Sequence, residues 1–333
     1  MLILGIESSC DDTAAAVVRD GKDILSNVIS SQADFHRRYG GIVPEIASRK
    51  HLENIVPVIN EALRRAGTGL DAVQGIAVTQ GPGLVGSLLV GINAAKAIAY
   101  ARGLPLTGIN HLEGHLLAPH LQFAVPFPNV TLVVSGGHTN LYLVKAPGAY
   151  EQLGRTRDDA AGEAFDKVAK LLGLGYPGGA VIDEISQSGR PDAIRFPRPM
   201  IRDSSCDFSF SGLKTAVRNY VHAIPPSGLT DAAVCDIVAG FQAAVTDILV
   251  EKTVRAALDS RVRAIAVAGG VASNSALRIK MRERSESEGL EVFIPPPVLC
   301  TDNAAMIAAA GELRIQTGAP FPFTMNARSR WQL

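Results

Sequence analysis

The chain has 333 residues, and at about 150 residues per domain that length suggests two domains with room for large cores. Apolar residues make up 47% and charged residues 19%, with 32 Gly and 19 Pro, so collagen-like and disordered compositions are excluded. Lys plus Arg total 32, as do Asp plus Glu, so any polyanion must be met by a local patch and not by net charge.

Residues 2–6 form an apolar run, closed by the polar turn Glu7-Ser8-Ser9-Cys10-Asp11-Asp12-Thr13, and residues 14–18 resume an apolar strand. This predicts a hairpin with a polar tip. The N-terminus has no basic segment ahead of its apolar run, so it reads as a strand and not as a secretion signal. A helix is expected over about 45–66, a strand at 75–79, a break at Gly81-Pro82-Gly83, a helix near 84–101 and a strand near 105–109. The apolar stretch 87–101 is interrupted by Asn93 and Lys96, short of the ~20 apolar residues that a membrane span needs. No membrane association is expected.

In the second half, an apolar run at 131–134, the turn Ser135-Gly136-Gly137-His138-Thr139 and a run at 141–144 repeat the design of the first hairpin. A helix is expected over 159–172, then a long functional loop over 189–211, then helices near 213–223 and 230–259. A strand at 263–268 leads through Gly269-Gly270 to the cap cluster Ser273-Asn274-Ser275, and a strand at 291–294 precedes an Ala-rich final helix over 303–316. Strands alternating with helices argue for an α/β fold. The expected division is 1–118 and 119–333, two lobes closing on a cleft, with an insertion around 150–230 and the final helix free to pack back on the first lobe. Cys10, Cys206, Cys235 and Cys300 lie far apart with no C-x-x-C pair, which suits reduced thiols and a cytoplasmic setting.

The sharpest local signal is His111-Leu112-Glu113-Gly114-His115. On a helix, i and i+4 share one face about 5–6 Å apart, which suits one metal ion; two unrelated helix histidines are the plain alternative. A metallopeptidase is not favoured, because Leu112 occupies the general-base position of His-Glu-x-x-His and Glu113 lies about 200° round the helix from His111. Asp302 is the candidate third ligand, with helix capping as its plain alternative. Two imidazoles and a carboxylate suit zinc or ferrous iron. Three turns, 7–12, 135–139 and 269–274, present backbone N–H groups beside small hydroxyls and are candidates for phosphate or sugar. No P-loop and no G-x-G-x-x-G is present. Taken alone, Asp166 and Asp183 read as solvated carboxylates. Arg37-Arg38, Arg195, Arg198, Arg202, Arg328 and Arg330 are candidate phosphate contacts, and Arg278, Lys280, Arg282 and Arg284 alternate with Glu in the manner of a solvated helix face.

The motifs Gly5 to Thr13, Gly81-Pro82-Gly83, His111-x-x-x-His115, Val134 to Thr139, Asp207-Phe208-Ser209-Phe210-Ser211-Gly212-Leu213-Lys214 and Gly269 to Asn274 together resemble, in order, the bacterial TsaD family, also called Gcp or YgjD. That resemblance implies the actin-like, sugar-kinase-like and Hsp70-like ATPase fold, two duplicated ribonuclease-H-like lobes around a cleft. It also implies transfer of threonylcarbamoyl from threonylcarbamoyl-AMP to N6 of the adenosine 3′ of the anticodon in tRNAs reading codons that begin with A, with release of AMP. By resemblance, His111, His115 and Asp302 bind one divalent ion, Fe2+ or Zn2+. Val134, Ser135, Gly136, Gly137, His138, Asp166, Gly179, Asp183 and Asn274 hold the adenylate. Asp11 is the candidate for a base acting after the amine has attacked. The implied partners are tRNA, a smaller TsaB-like paralogue, a TsaE-like P-loop ATPase and a separate synthase for the adenylate. Kinases and chaperones of this fold class use an Asp where the first strand here ends in Glu7, so ATP hydrolysis by this chain alone is not expected. The alternatives kept are a metal-dependent peptidase and a nucleotide-binding regulatory module.

Overall fold

The computed structural model describes residues 1–225, 228–318 and 323–333. They divide into two units, Met1–Ala124 with Val298–Leu333, and Val125–Pro297. The division falls a few residues beyond the expected boundary at 118, and the last stretch of chain belongs with the first unit.

In the first unit β1 (Leu2–Glu7), β2 (Asp12–Arg19) and β3 (Asp23–Ser31) are consecutive antiparallel neighbours. After α1 (Ala33–Arg37) and α2 (Pro44–Arg65) the chain adds β4 (Gly75–Gly81), then α3 (Val85–Arg102) and β5 (Leu106–Asn110), both strands parallel to β1, in the order β3-β2-β1-β4-β5. β4 and β5 are buried throughout, as parallel strands covered on both faces must be. Alternate residues divide between two cores: Leu4, Ile6, Ala15 and Val17 pack with α2 and α3, whereas Ile3, Ala14, Ala16 and Val18 pack on the opposite face. That face is filled by α4 (His111–Leu117) and the final helix α11 (Ala304–Gln316), whose alanines let it lie close on the sheet.

The second unit repeats the order with β6 (Asn129–Val134), β7 (Thr139–Ala146), β8 (Ala149–Arg155), β9 (Ala264–Ala268) and β10 (Glu291–Phe293), giving β8-β7-β6-β9-β10. Again the first three strands are antiparallel and the last two parallel. Its helices are α5 (Ala161–Leu171), α6 (Gly178–Ser186), α7 (Ser211–Ala223), α8 (Asp231–Asp259) and α9 (Ser275–Glu286), and the four-residue α10 (Pro297–Cys300) follows β10. The sequence predicts neither β3 nor β8. Both are edge strands whose residues are mostly half-buried or exposed, so their apolar alternation is weak. The apolar stretch of membrane-spanning length lies in α8 and not at 87–101, and 72% of its apolar window is buried inside the fold. There it packs on α6, α7, α9, β6 and β9.

Candidate metal centre and loop networks

β5 ends at Asn110, whose side-chain oxygen accepts the N–H of Leu112 at 2.9 Å and starts α4. All seven residues of α4 are buried. Helical spacing brings the rings of His111 and His115 to 4.7 Å between centroids at 84°. Asp302 lies in the bend before α11, and its Oδ1 is 3.2 Å from Nε2 of His115 and 3.5 Å from Nε2 of His111. The cap of α11 is Asn303, which accepts from Met306 N, so the capping role that the sequence offers Asp302 is already filled.

One ligand atom from each of the three residues lies within 4.8 Å of the others, a span that a divalent ion can bridge. Behind them, Oε2 of Glu7 is 3.1 Å from Nδ1 of His111, and the Ser9 hydroxyl is 3.3 Å from the same nitrogen. A carboxylate on Nδ1 turns Nε2 toward Asp302, which is the usual way a ligating imidazole is oriented. Glu7 is itself fully buried and accepts from Ser9 N and Thr79 Oγ1, both at 2.5 Å. Burial works to raise its carboxyl, but the charge of His111 outweighs this and holds it below the usual range. Burial disfavours a charged His111, yet Asp302 and then Glu7 raise it to about 9, whereas burial keeps His115 below the usual value. Nδ1 of His115 is buried without a hydrogen-bond partner among the described residues. A fully buried carboxylate, Glu7, and a half-buried one, Asp302, converging on two buried imidazoles make a place for positive charge, and the donor set fits zinc or ferrous iron.

Glu7 is the functional candidate that sequence reading placed only as a departure from an Asp; its contact with His111 spans 104 residues and has no local signature. Asp11 is half-buried, and burial followed by the charge of Asp302 raises its carboxyl; the same causes push Asp12 up to about 7. Glu113 is buried and accepts Nε and Nη2 of Arg314 at 3.0 and 2.6 Å.

In the second unit the turn between β6 and β7 leaves Gly136 and Gly137 exposed, while Val134 and Ser135 are buried. The turn is closed by Ser135 N donating to His138 O at 2.8 Å and His138 N donating to Ser135 Oγ at 3.2 Å. The first turn of α5 packs on this loop so closely that a Cβ at Gly162 would meet the Gly136 Cα at 2.7 Å. On α5, Asp166 accepts the N–H of Gly178 at 2.8 Å, at the start of the helix that carries Gly179 and Asp183. Asp183 accepts Ser275 N at 3.0 Å and Ser275 Oγ at 2.7 Å. Asn274 caps α9 through Leu277 N and donates to Gln242, which donates to Ser186. Hydrogen bonds through Ser275, Gln242 and Ser186 therefore tie Asp183 and Asn274 into one network, while Asp166 is bonded to the start of the helix that carries Gly179. Gln242 and Ser186, which the sequence does not single out, complete that network together with Ser275 of the predicted cap cluster.

Several of the basic residues named above are engaged within the protein. Arg37 pairs with Asp34, Arg198 and Lys280 with Asp247, and Arg284 with Glu251 and Glu288. Arg278 donates to carbonyls of Ala272, Ile294 and Pro295.

A family model for TsaD, tRNA N6-adenosine threonylcarbamoyltransferase, matches residues 23–309. The chain belongs to the TsaD family. A relative named tRNA N6-adenosine threonylcarbamoyltransferase from Geotalea uraniireducens is 58% identical over all of this chain and 97% of its own length. Among solved structures, full-length HypF in its phosphate- and nucleotide-bound form aligns with a TM-score of 0.63 at 11% identity, over 96% of this chain and 47% of HypF. Component A of the Acidaminococcus fermentans (R)-2-hydroxyglutaryl-CoA dehydratase aligns with a TM-score of 0.56 at 16% identity, over 95% and 99% of the two chains. These likenesses are of fold, and with the repeated five-strand order they make this TsaD-family chain an actin-like ATPase fold.

Proposed function

We propose that this member of the tRNA N6-adenosine threonylcarbamoyltransferases takes its threonylcarbamoyl group from threonylcarbamoyl-AMP. It delivers the group to N6 of the adenosine 3′ of the anticodon in tRNAs reading codons that begin with A, and AMP leaves. The observation that carries the reading is the convergence of His111, His115 and Asp302, backed by Glu7, in a chain of this family.

The donor is a mixed anhydride with a good leaving group, so the chemistry needs placement more than activation. The exocyclic amine attacks the carbamoyl carbon, the new N–C bond replaces the bond to the phosphate oxygen, and the amine proton is lost. His111, His115 and Asp302 would hold one Fe2+ or Zn2+, which when bound supplies Lewis acidity and orientation for a donor oxygen. The Gly136 and Gly137 amides donate to the adenylate phosphate, with Val134, Ser135 and His138 shaping the turn. Asp166, Gly179, Asp183 and Asn274 hold the nucleoside by keeping the α5, α6 and α9 starts in register. Asp11, with its carboxyl raised by burial, accepts the amine proton after attack. Supply of the adenylate by a separate synthase, and turnover with a TsaB-like paralogue and a TsaE-like P-loop ATPase in the cytoplasm, complete the reading.

The test is incorporation of labelled threonine into tRNA carrying or lacking the target adenosine, with partners, bicarbonate and ATP, before and after chelation. Label confined to the adenosine-bearing tRNA and lost on chelation is expected. No label with all partners present and metal retained overturns the reading.

A further inference from the structure

The C-terminal segment 323–333 contains no helix or strand, yet it is fastened to the first unit by groups distant in sequence. Lys96 Nζ donates to Met325 O at 2.6 Å, Gln80 Nε2 to Asn326 O at 2.8 Å, and Arg328 N to Gln80 O at 2.9 Å. Gly81, of the Gly81-Pro82-Gly83 motif, sits at φ +152°, and a Cβ there would lie 1.9 Å from the carbonyl oxygen of Arg328. This glycine is required by the passage of the tail. Beneath the segment lies a cavity of ≈ 550 Å³ lined in part by Gln80, Arg314, Arg328 and Trp331.

Two further contacts of the segment lead to residues that cap or bind the helix that carries both histidines. The Asn110 side chain is used at both ends: Oδ1 accepts Leu112 N and caps α4, and Nδ2 donates to the Trp331 carbonyl at 3.2 Å. An amide's two ends differ, so the Leu112 N–H and the Trp331 carbonyl select the same orientation of the Asn110 side chain and hold it from both ends. The guanidinium groups of Arg328 and Arg314 both lie over the Trp331 ring, at 4.7 and 5.9 Å, and Arg314 is the residue bound to Glu113 on α4.

We propose that the tail is a positioning strap for the metal helix, in which Trp331 fixes Asn110 through its carbonyl and Arg314 through its ring, and so sets the aim of His111 and His115. The inference rests on the metal reading of His111, His115 and Asp302. Met325 and Ala327 pack against the core of the first unit, but residues 328–333 beyond them are half-buried or exposed, so this end of the strap acts on metal affinity without carrying that core.

The experiment is titration of the full-length metal-free protein with Co2+ alone, read by visible absorption and by competition with a chelator. It is run beside His115→Ala, Asn110→Ala, a chain ending at Ala327, and the last two combined. Removing support behind a metal ligand weakens binding by about tenfold at the lower end of such effects. The truncated chain is expected to bind Co2+ about tenfold more weakly with an unchanged apoprotein unfolding midpoint; Asn110→Ala, which also removes the α4 cap, is expected to bind about tenfold more weakly with a lowered midpoint, and the combination to lose less than the product of the two. Co2+ binding that His115→Ala abolishes, but that truncation weakens less than about fivefold, overturns the strap and leaves the metal site standing. Full-length protein that binds no Co2+ overturns both. Losses that add fully in the combined variant also overturn the strap. Should the truncated chain not fold, Asn110→Ala in the full chain decides by the same fivefold criterion.

Discussion

In each unit the first strand of the sheet ends in a turn that carries polar chemistry: Glu7 to Asp12 after β1, and Ser135 to His138 after β6. The surroundings differ in sign. Around the first turn, Glu7 and Asp302 place negative charge against two buried imidazoles, which favours a cation. Around the second, Gly136 and Gly137 are exposed and are the groups proposed to meet the adenylate phosphate, while Asp166 and Asp183 are engaged with backbone N–H groups. One strand order thus supports opposite ligand preferences, because the strands fix where a turn emerges and the side chains behind it fix its potential.

The largest effect that tests this contrast is expected from His115→Ala. Losing one of three protein ligands should empty the site by metal analysis and lower tRNA labelling by several kcal/mol of transition-state stabilisation, at least about a hundredfold in rate. Retained metal with unchanged activity would dissolve the cation side of the comparison. Glu7→Gln keeps the shape but removes the charge that orients His111, and a loss of about 10- to 100-fold in metal affinity is expected, measured by chelator competition. In the second unit Asp183→Ala removes both acceptors of Ser275, worth about 1–3 kcal/mol for the groups left unpaired. It should appear as a raised KM for the adenylate with metal content unchanged; metal loss would show that the two networks are not independent.

The smallest expected effect is on acid stability. Burial depresses His120 to about 4, so below its unfolded value of 6.5 the unfolded chain binds a proton that the folded chain refuses. Its contribution therefore turns against folding as pH falls from 6.5 toward 4. Asp158, Asp159 and Asp207 in the second unit are held below 3.8 against the opposing effect of burial, chiefly by Ser209, Lys167 and the Arg155 N–H respectively. Their stabilisation persists above 3.8 and is lost as pH falls through their folded values. His120→Gln should flatten the unfolding curve between pH 6.5 and 4 and leave the limb below 3.8 in place. A curve unchanged between 6.5 and 4 would remove His120 as the cause.

Much of the framework is legible locally. The polar turns after β1 and β6, the helical spacing of His111 and His115, and the Asn274 cap follow from patterns a few residues long. Asp302 was reachable only as a carboxylate near a turn, and assigning it needed either family resemblance or the fold. The edge strands β3 and β8 and the short helix α6 escaped because half-exposed elements carry little apolar periodicity.

By itself, then, the chain's pattern determined the α/β class, the repeated hairpin, the histidine pair and the ordered motifs of the TsaD family, since these depend on neighbours in sequence. Tertiary structure alone decided that Glu7 backs His111, that Asp183 meets Ser275, that Glu113 is taken by Arg314, and that the C-terminal tail crosses Gly81 to reach Asn110. Those pairings join residues tens to hundreds of positions apart, and they arise only when sheet order and helix packing have brought them within a few ångströms of one another.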